Sequence, residues 1–237
     1  MDRADGRANR AGAHALLRAS EGSGVRRVAR LHRASLHQRD GRRLLAEAAF
    51  RHYLVQDYLF LIEFARAYAL AVYKAPKLAD MREAAAGLSA ILDVEMNLHV
   101  KLCVGWGLSP HDLERAPPAV EMLAYTRYVL DTGMRGDLLA LQVALAPCVI
   151  GYAEIAARLS ARPEARVETN LYREWIAEYA GAPYQAVAAK ARAHLERLAD
   201  SYSTPAREAE LIAIFKEATR LEIEFWEMGW RAGQRGE

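Results

Sequence analysis

The sequence predicts an all-α fold, and two observations lead to this prediction. Apolar residues recur at intervals of three and four from Ala46 onward, which is the spacing of helices that bury one face. Hairpin dipeptides and alternating β-branched runs are almost absent, so strands are not expected. A chain of 237 residues with 52% hydrophobic residues is long enough for one well-packed domain. We therefore predict a single helical bundle of about seven helices over residues 44–237.

Four helices are expected in the first part of this domain. The first is EAAFRHYLVQDYLFLIEFARAYALAVYKA, which ends before Pro76 and is apolar on most faces, as a central helix packed on several sides should be. The next three are expected at about Leu78 to Gly105, at about Ala119 to Asp131 and at Asp137 to Leu159. The last of them contains the uncharged run LLALQVALAPCVIGYA, which is shorter than the ~20 apolar residues that span a bilayer. It is therefore predicted to be a core helix.

Three more helices follow the polar loop SARPEARVET. They are the short segment NLYREWIAEYA, the longer segment APYQAVAAKARAHLERLADSYS and the final segment TPAREAELIAIFKEATRLEIEFWEMGW. In the final segment Thr204 is a suitable N-cap residue, and Pro205 fits the first helical position.

Residues 1–43 differ in composition from the rest of the chain. They contain eleven Arg, no Lys and four acidic residues, so they carry a charge of +7, and the remainder carries −5. Because large apolar residues are few, this segment is expected to be a flexible arm. A mitochondrial-type transit peptide would also be rich in Arg and Ser, although Asp2, Asp5 and Glu21 argue against one. An upstream start site or a shifted reading frame would give the same composition.

The overall composition limits the classes of partner. The formal net charge is only +2, and no basic stripe interleaved with aromatic residues follows the N-terminal segment, so a nucleic-acid partner is not expected. The two cysteines, Cys103 and Cys148, match no zinc or redox signature and suit a reducing compartment. We expect a cytoplasmic protein without a membrane anchor.

A carboxylate interrupts the apolar surface of the predicted central helix. Asp57 shares one stripe of this helix with three aromatic residues, at the spacing i, i+4, i+7 and i+11: Tyr53, Phe60 and Phe64. Buried Asp is rare unless it is paired, so spacing alone favours an Asp57 that faces solvent or caps a neighbouring backbone. The functional alternative is a carboxylate that points into an aromatic-lined pocket.

The fourth predicted helix contains a cysteine directly after a proline. Pro147 has no N–H to donate to the carbonyl four residues earlier, so a kink or local unwinding is expected just before Cys148. Cys148 and Tyr152 then share a helix face beside Gly151. A lone cysteine in an apolar helix is more often a small buried hydrophobe than a nucleophile, and the residues alone leave both interpretations open.

Further polar groups stand on the other helices. Glu222 shares a face with Phe225 and Trp226, which makes it either an inward acid or an exposed one. Glu95 and His99 stand at i and i+4, which favours a helix-stabilising pair, since a metal site would need a second such pair on another helix. The structural alternative for three tyrosines is a half-buried core side chain with a hydrated hydroxyl: Tyr125, Tyr128 and Tyr179.

Six segments occur in a characteristic order: FRHYLVQDYLFL, EMNLH, AYTRYVL, ALAPCVIGYAEI, WIAEY and LEIEFWEM. Together they resemble the successive motifs of the TenA/thiaminase II family of aminopyrimidine aminohydrolases, from about Ala46 to the C-terminus. The resemblance implies a haem-oxygenase-like all-α fold, a homotetramer, and neither a metal nor an organic cofactor. It also implies hydrolysis of thiamin, or of its breakdown product aminomethyl-aminopyrimidine, to hydroxymethylpyrimidine for thiamin salvage.

The same resemblance implies a role for each matching residue. Cys148 matches the nucleophile that adds to the pyrimidine ring, and Glu222 matches the acid and base for the leaving amine and the incoming water. Asp57 matches the carboxylate that binds the ring's amino group and an adjacent ring nitrogen. Phe60 matches an aromatic residue that stacks on the pyrimidine, and Tyr125 matches a partner of a ring nitrogen. Tyr152 and Tyr179 match hydroxyls near the thiol and the acid.

One segment departs from the family pattern, and two other classes of function stay open. Family members usually begin with a helix that carries an HPF-type motif and a short DG-x-L turn, whereas this chain has HRASLHQRDGRRLLAEAAF. The first alternative class is a haem-oxygenase-like oxidase or di-iron enzyme, which needs a ring of carboxylate and His ligands. The second is a non-catalytic pyrimidine-binding regulator on the same fold.

Overall fold

The computed structural model describes residues 43–168 and 170–235, which are helical and contain no strand. The arm predicted for residues 1–43 lies outside the described residues except for Arg43, at which the first helix begins. In chain order the α-helices are Arg43–Lys74 (α1), Leu78–Ala90 (α2), Met96–Val104 (α3), Pro110–Glu114 (α4), Val120–Arg135 (α5), Leu138–Ser160 (α6), Arg173–Ala180 (α7), Ala182–Tyr202 (α8) and Pro205–Arg235 (α9). A π-helical turn, Ile91–Glu95, joins α2 to α3, and a 3₁₀ turn, Pro163–Arg166, precedes α7.

The prediction of an all-α fold is confirmed. When the run from Leu78 to Val104 is counted as one helix, the described residues contain the seven predicted helices and one more. The additional helix is α4, which begins with a reciprocal capping box. The Ser109 hydroxyl accepts a bond from the Asp112 N–H at 3.2 Å, and the Asp112 carboxylate accepts one from the Ser109 N–H at 2.8 Å.

The described residues form two compact units. The Asp57 unit comprises residues 43–141 and 224–235, and the Cys148 unit comprises residues 142–168 and 170–223. Each unit contains part of the predicted set of site residues.

The Asp57 unit is built around α1, which packs against α2, α3 and α5. The C-terminal part of α9 also lies close to α1. A Cβ atom on Gly229 would stand 3.0 Å from the Cβ of Tyr53 and 3.2 Å from the carbonyl oxygen of Ala49, so glycine permits this close approach. An ion pair of 2.7 Å between Arg231 and Glu121 further ties α9 to α5.

The Cys148 unit contains most of α6, the most apolar helix. Alone among helices of the described residues, α6 has the length and mean hydropathy, 1.8, of a membrane span, but 94% of that window is buried inside the protein. The prediction of a core helix is therefore supported. The helix continues from Leu138 to Ser160 through Pro147, so the alternative of local unwinding at the proline is wrong.

Two mid-helix glycines should respond in opposite ways to alanine. The free energy of unfolding of Gly229→Ala should be about 1–3 kcal/mol lower than that of Gly151→Ala, because the new methyl group is too close to Tyr53 and Ala49. Gly151→Ala should raise the free energy of unfolding by about 0.5–1 kcal/mol, because its methyl group meets nothing within 4 Å and alanine favours the helix. Urea denaturation of both variants measures the difference, and equal stabilities would contradict the close approach of α9 to α1.

Candidate functional site

Asp57 lies on α1 with 2% of its surface exposed, and two hydrogen bonds hold it. The Tyr53 hydroxyl, one helical turn earlier, donates to Oδ2 at 2.7 Å. The Nε2 atom of His99 lies 2.7 Å from the same oxygen, and neither bond uses Oδ1. Asp57 is thus a buried and paired carboxylate, and the alternative of a solvent-facing side chain is wrong.

His99 is a site residue whose partner the sequence did not reveal. Its Nδ1 atom lies 2.8 Å from the main-chain oxygen of Glu95, so Nδ1–H donates to that carbonyl. Complete burial disfavours the charged ring, but the charge of Asp57, the bond to it and the Glu95 carbonyl together raise the pKa of His99 above its ordinary value. The i, i+4 spacing predicted a helix-stabilising pair with Glu95, whereas the ring's ion-pair partner is Asp57, 42 residues away.

Aromatic rings surround this carboxylate on the Asp57 unit. Tyr53 stacks on Trp226 with ring centroids 4.1 Å apart. The Phe60 ring lies 5.1 Å from that of Tyr125 and 5.4 Å from that of Phe225. Because the Tyr125 hydroxyl oxygen is buried, the alternative of a half-buried tyrosine with a hydrated hydroxyl is wrong there. The sequence stripe of an Asp among aromatic residues therefore corresponds to a cluster in the folded chain.

The side chain of Gln56, the residue before Asp57, holds the loop that precedes α5. The Gln56 side chain donates to the carbonyl of Pro117 at 3.0 Å and accepts from the N–H of Ala119 at 2.8 Å. These two bonds fix the start of α5, the helix that carries Tyr125.

The two cysteines differ in their surroundings. Cys103 on α3 is fully buried, and this burial raises its pKa to about 11, so it stays protonated near neutral pH and is not expected to act as a nucleophile. Cys148 is 6% exposed and lies on α6 directly after Pro147.

Open space borders the helix face that Cys148 shares with Tyr152. Gly151 is buried, yet a Cβ atom built on it would meet no atom of another segment within 4 Å. A buried position with unfilled space beside a thiol is where a small molecule could lie.

An aromatic cluster extends from Tyr152 in the Cys148 unit. Its ring centroid is 5.7 Å from that of Trp175 and 5.2 Å from that of Tyr179. The Gln185 side chain holds this cluster to α6, because its Nε2 donates at 2.9 Å both to the carbonyl of Ala153 and to the carbonyl of Tyr179. Tyr179 is 1% exposed, so the alternative of a half-buried side chain is wrong.

Glu222 on α9 faces inward, as one of the two sequence alternatives had it. It is 5% exposed, whereas Glu224 pairs at 3.5 Å with Arg231 and keeps 40% of its side chain exposed. Among the acidic residues whose side chains the structure describes, Asp57 and Glu222 are the two that are buried.

The structure divides the seven predicted site residues between the two units. Three lie in the Asp57 unit: Asp57, Phe60 and Tyr125. The rings of Phe60 and Tyr125 are in contact. Four lie in the Cys148 unit: Cys148, Tyr152, Tyr179 and Glu222. The rings of Tyr152 and Tyr179 are in contact. All seven are buried.

The fold and its buried groups define an all-α protein that buries a cysteine, two carboxylates and several tyrosines. More particularly, the chain belongs to the TENA/THI-4/PQQC family, whose model matches residues 36–232. The resemblance drawn from six sequence motifs is thereby confirmed.

Two curated relatives and one solved structure illustrate the similarity. The chain is 38% identical to an aminopyrimidine aminohydrolase of Halalkalibacterium halodurans, over 78% of this chain and 82% of that protein. It is 33% identical to an aminopyrimidine aminohydrolase of Helicobacter pylori, over 81% of this chain and 88% of that protein. A crystal structure described as a TenA family transcription regulator from Silicibacter sp. TM1040 is 40% identical and has a TM-score of 0.77, covering 92% of this chain and 96% of that one.

The Gln185 bridge should contribute measurably to stability. Gln185→Met keeps the length of the side chain but removes the donor that the two carbonyls share, so the free energy of unfolding should fall by about 1–2 kcal/mol. Lys190→Met on the exposed face of the same helix is the control and should change it by less than about 0.5 kcal/mol. Chemical denaturation of both variants checks this, and equal effects would show that the bridge does not hold Tyr179.

Proposed function

We propose that this protein is an enzyme that hydrolyses a C–N bond: an aminopyrimidine aminohydrolase of the thiaminase II type. Its substrates are aminomethyl-aminopyrimidine and thiamin, and its product, hydroxymethylpyrimidine, re-enters thiamin synthesis. The observation that carries the proposal is that the structure buries two carboxylates, Asp57 and Glu222, at the positions that match the family's substrate-binding and acid–base residues. The names of the two curated relatives support the same activity.

In this proposal Asp57 recognises the pyrimidine. Its Oδ2 is engaged by Tyr53 and His99, so Oδ1 is the oxygen that accepts a hydrogen bond from the amino group of the ring. The aromatic rings of Phe60 and Tyr125 provide the apolar surface on which a flat heterocycle packs. Both kinds of contact are needed, because the substrate combines a π-face with polar edge atoms.

Cys148 performs the covalent step. Its sulfur adds to the electron-poor ring, which loosens the leaving group on the exocyclic methylene. The amino group of aminomethyl-aminopyrimidine takes a proton from Glu222 and departs as ammonia, whereas the thiazolium of thiamin takes the bonding electron pair and departs as neutral thiazole without a proton. A water molecule then adds to the methylene and gives up a proton to the Glu222 carboxylate. Loss of the thiol regenerates the ring, so one water is consumed and one amine is released.

A second candidate is a regulator that binds the pyrimidine without turning it over. The solved relative described as a transcription regulator favours it. The two candidates differ in one measurable property, since a regulator would bind aminomethyl-aminopyrimidine and release it unchanged.

We also propose that the protein is a cytoplasmic homotetramer. The family resemblance supports this proposal, and three large apolar side chains of the Asp57 unit are exposed and available for contacts between subunits: Tyr73 at 85%, Val120 at 77% and Met134 at 68% exposure.

Replacement of the nucleophile should abolish hydrolysis. Cys148→Ala should lower kcat/KM for aminomethyl-aminopyrimidine by at least about 10³-fold, because no other group supplies the covalent step. Cys103→Ser is the matched control and should retain kcat/KM within about threefold, since its buried thiol takes no part. Release of ammonia measures both. Unchanged hydrolysis by Cys148→Ala would overturn the nucleophile assignment, and tight binding without turnover by the native protein would favour the regulator.

The open space beside Gly151 should decide which leaving group fits. Gly151→Leu fills it, so kcat/KM for thiamin, whose thiazole is bulky, should fall about 10- to 100-fold. Hydrolysis of aminomethyl-aminopyrimidine, which releases only ammonia, should change by less than about threefold. Ala157→Leu on the exposed face of α6 is the control and should affect neither substrate. Equal losses on both substrates would contradict this placement of the leaving group.

A further inference from the structure

We propose that His99 is a positioning residue for Asp57: it holds Oδ2, neutralises the carboxylate, and so presents Oδ1 to an uncharged N–H donor of the substrate. The identity of that substrate rests on the proposed function, but the pairing of His99 with Asp57 does not.

The hydrogen bonds fix how many protons the pair holds. Nδ1 faces the Glu95 carbonyl at 2.8 Å, and because a carbonyl only accepts, this nitrogen carries a proton. Nε2 and the Asp57 Oδ2 are 2.7 Å apart, and a ring nitrogen and a carboxylate oxygen at that distance share a second proton. The pair as a whole is therefore uncharged: with this proton on Nε2, an imidazolium faces the carboxylate.

An uncharged pair selects its ligand. A lone buried carboxylate would favour a protonated, cationic heterocycle, because its own charge would otherwise be left without a counter-charge. With His99 supplying the counter-charge, Oδ1 accepts a hydrogen bond from a neutral amino group without burying a net charge. A neutral aminopyrimidine has such a group on its ring.

The π-turn provides the register that brings His99 to Asp57. Three residues of this segment are buried: Ile91, His99 and Cys103. In a regular α-helix, at about 100° per residue, Cys103 would lie about 120° around the helix axis from Ile91, twelve residues earlier. In the π-turn the N–H of Met96 bonds to the carbonyl of Ile91, five residues earlier, so this turn contains one residue more than a regular α-helical turn. The offset then falls to about 20°, so one helix face can carry all three.

Three other titratable groups interact with the pair. They are Tyr53 from α1, Cys103 from α3 and the carboxylate of Glu95 from the π-turn, whereas the charge of Arg51 acts on the Cys103 thiol. Tyr53 donates to Asp57, Cys103 stays protonated near neutral pH, and Glu95 adds to the positive character of the ring. None of them replaces His99 as the counter-charge at Oδ2.

The charge on His99 can be observed directly. In protein labelled with ¹⁵N-histidine, both ring nitrogens of His99 should carry protons at pH 7, and His99→Gln identifies the signal by its loss. The exposed His111 gives a reference signal in the same spectrum. A His99 ring that is neutral at pH 6 would overturn the proposal.

Stability gives a second readout that needs no substrate. Because the folded-state pKa of His99 is raised, the stabilisation from the pair is complete below the unfolded-state value near 6.5 and is lost as pH rises through the folded-state value. The difference in unfolding free energy between the native protein and His99→Gln should therefore shrink as pH increases above 7. A difference that grows with pH would contradict the pairing.

Kinetics separates positioning from a merely structural role. His99→Gln keeps a donor near Oδ2, whereas His99→Asn keeps only a donor near the Glu95 carbonyl. KM for aminomethyl-aminopyrimidine should rise roughly 10- to 100-fold in His99→Asn and less in His99→Gln, with kcat within about threefold in both. His111→Gln is the control and should leave both parameters unchanged.

The outcomes of these arms distinguish the two proposals. An unchanged KM in His99→Asn, or a fall in kcat at constant KM, would overturn the positioning role. If the native protein hydrolyses no aminopyrimidine, the proposed function fails, and the ¹⁵N spectrum and the pH dependence of stability still decide whether His99 neutralises Asp57.

Discussion

The burial of one carboxylate is the constraint on which the Asp57 unit depends. An ionised side chain removed from water costs several kcal/mol unless partners compensate for the lost hydration. Tyr53 from the same helix and His99 from α3 provide that compensation, both at Oδ2. Because His99 reaches α1 from a different helix, its bond to Asp57 ties the segment from Leu78 to Val104 to α1. The aromatic packing around α1 then encloses a polar group that is already satisfied.

Helical periodicity predicted the scaffold well, since it reports which faces are apolar. It placed α1, α5, α6 and α9 and showed that Asp57 shares a stripe with aromatic residues. It missed α4, although this helix has a recognisable start signal. Ser109 is the N-cap, Pro110 is the first helical residue and Asp112 is the third. That helix is short and adds no apolar stripe, which is why an analysis of periodicity passes over it.

The pairing of Asp57 with His99 was beyond sequence reasoning for a physical reason. A single sequence indicates partners within a helix, at separations of three and four, and His99 has such a neighbour in Glu95. The observed partner lies on another helix, and the phase that brings it there is set by a π-turn, which a period of 3.6 residues does not describe. Fully buried tyrosines were missed for a related reason, because burial depends on which helices meet at a position.

Departures from regular helix structure stand beside three of the features used in the proposed function. The π-turn precedes His99, Pro147 precedes Cys148, and Gly151 leaves space where a side chain would stand. Each departure costs stability that a regular helix would keep, so each needs a compensating role. A buried carboxylate, a buried thiol and an open space are the three features on which the proposed recognition of a small polar heterocycle rests. Their occurrence at irregular positions is the expected result when local stability is exchanged for chemistry.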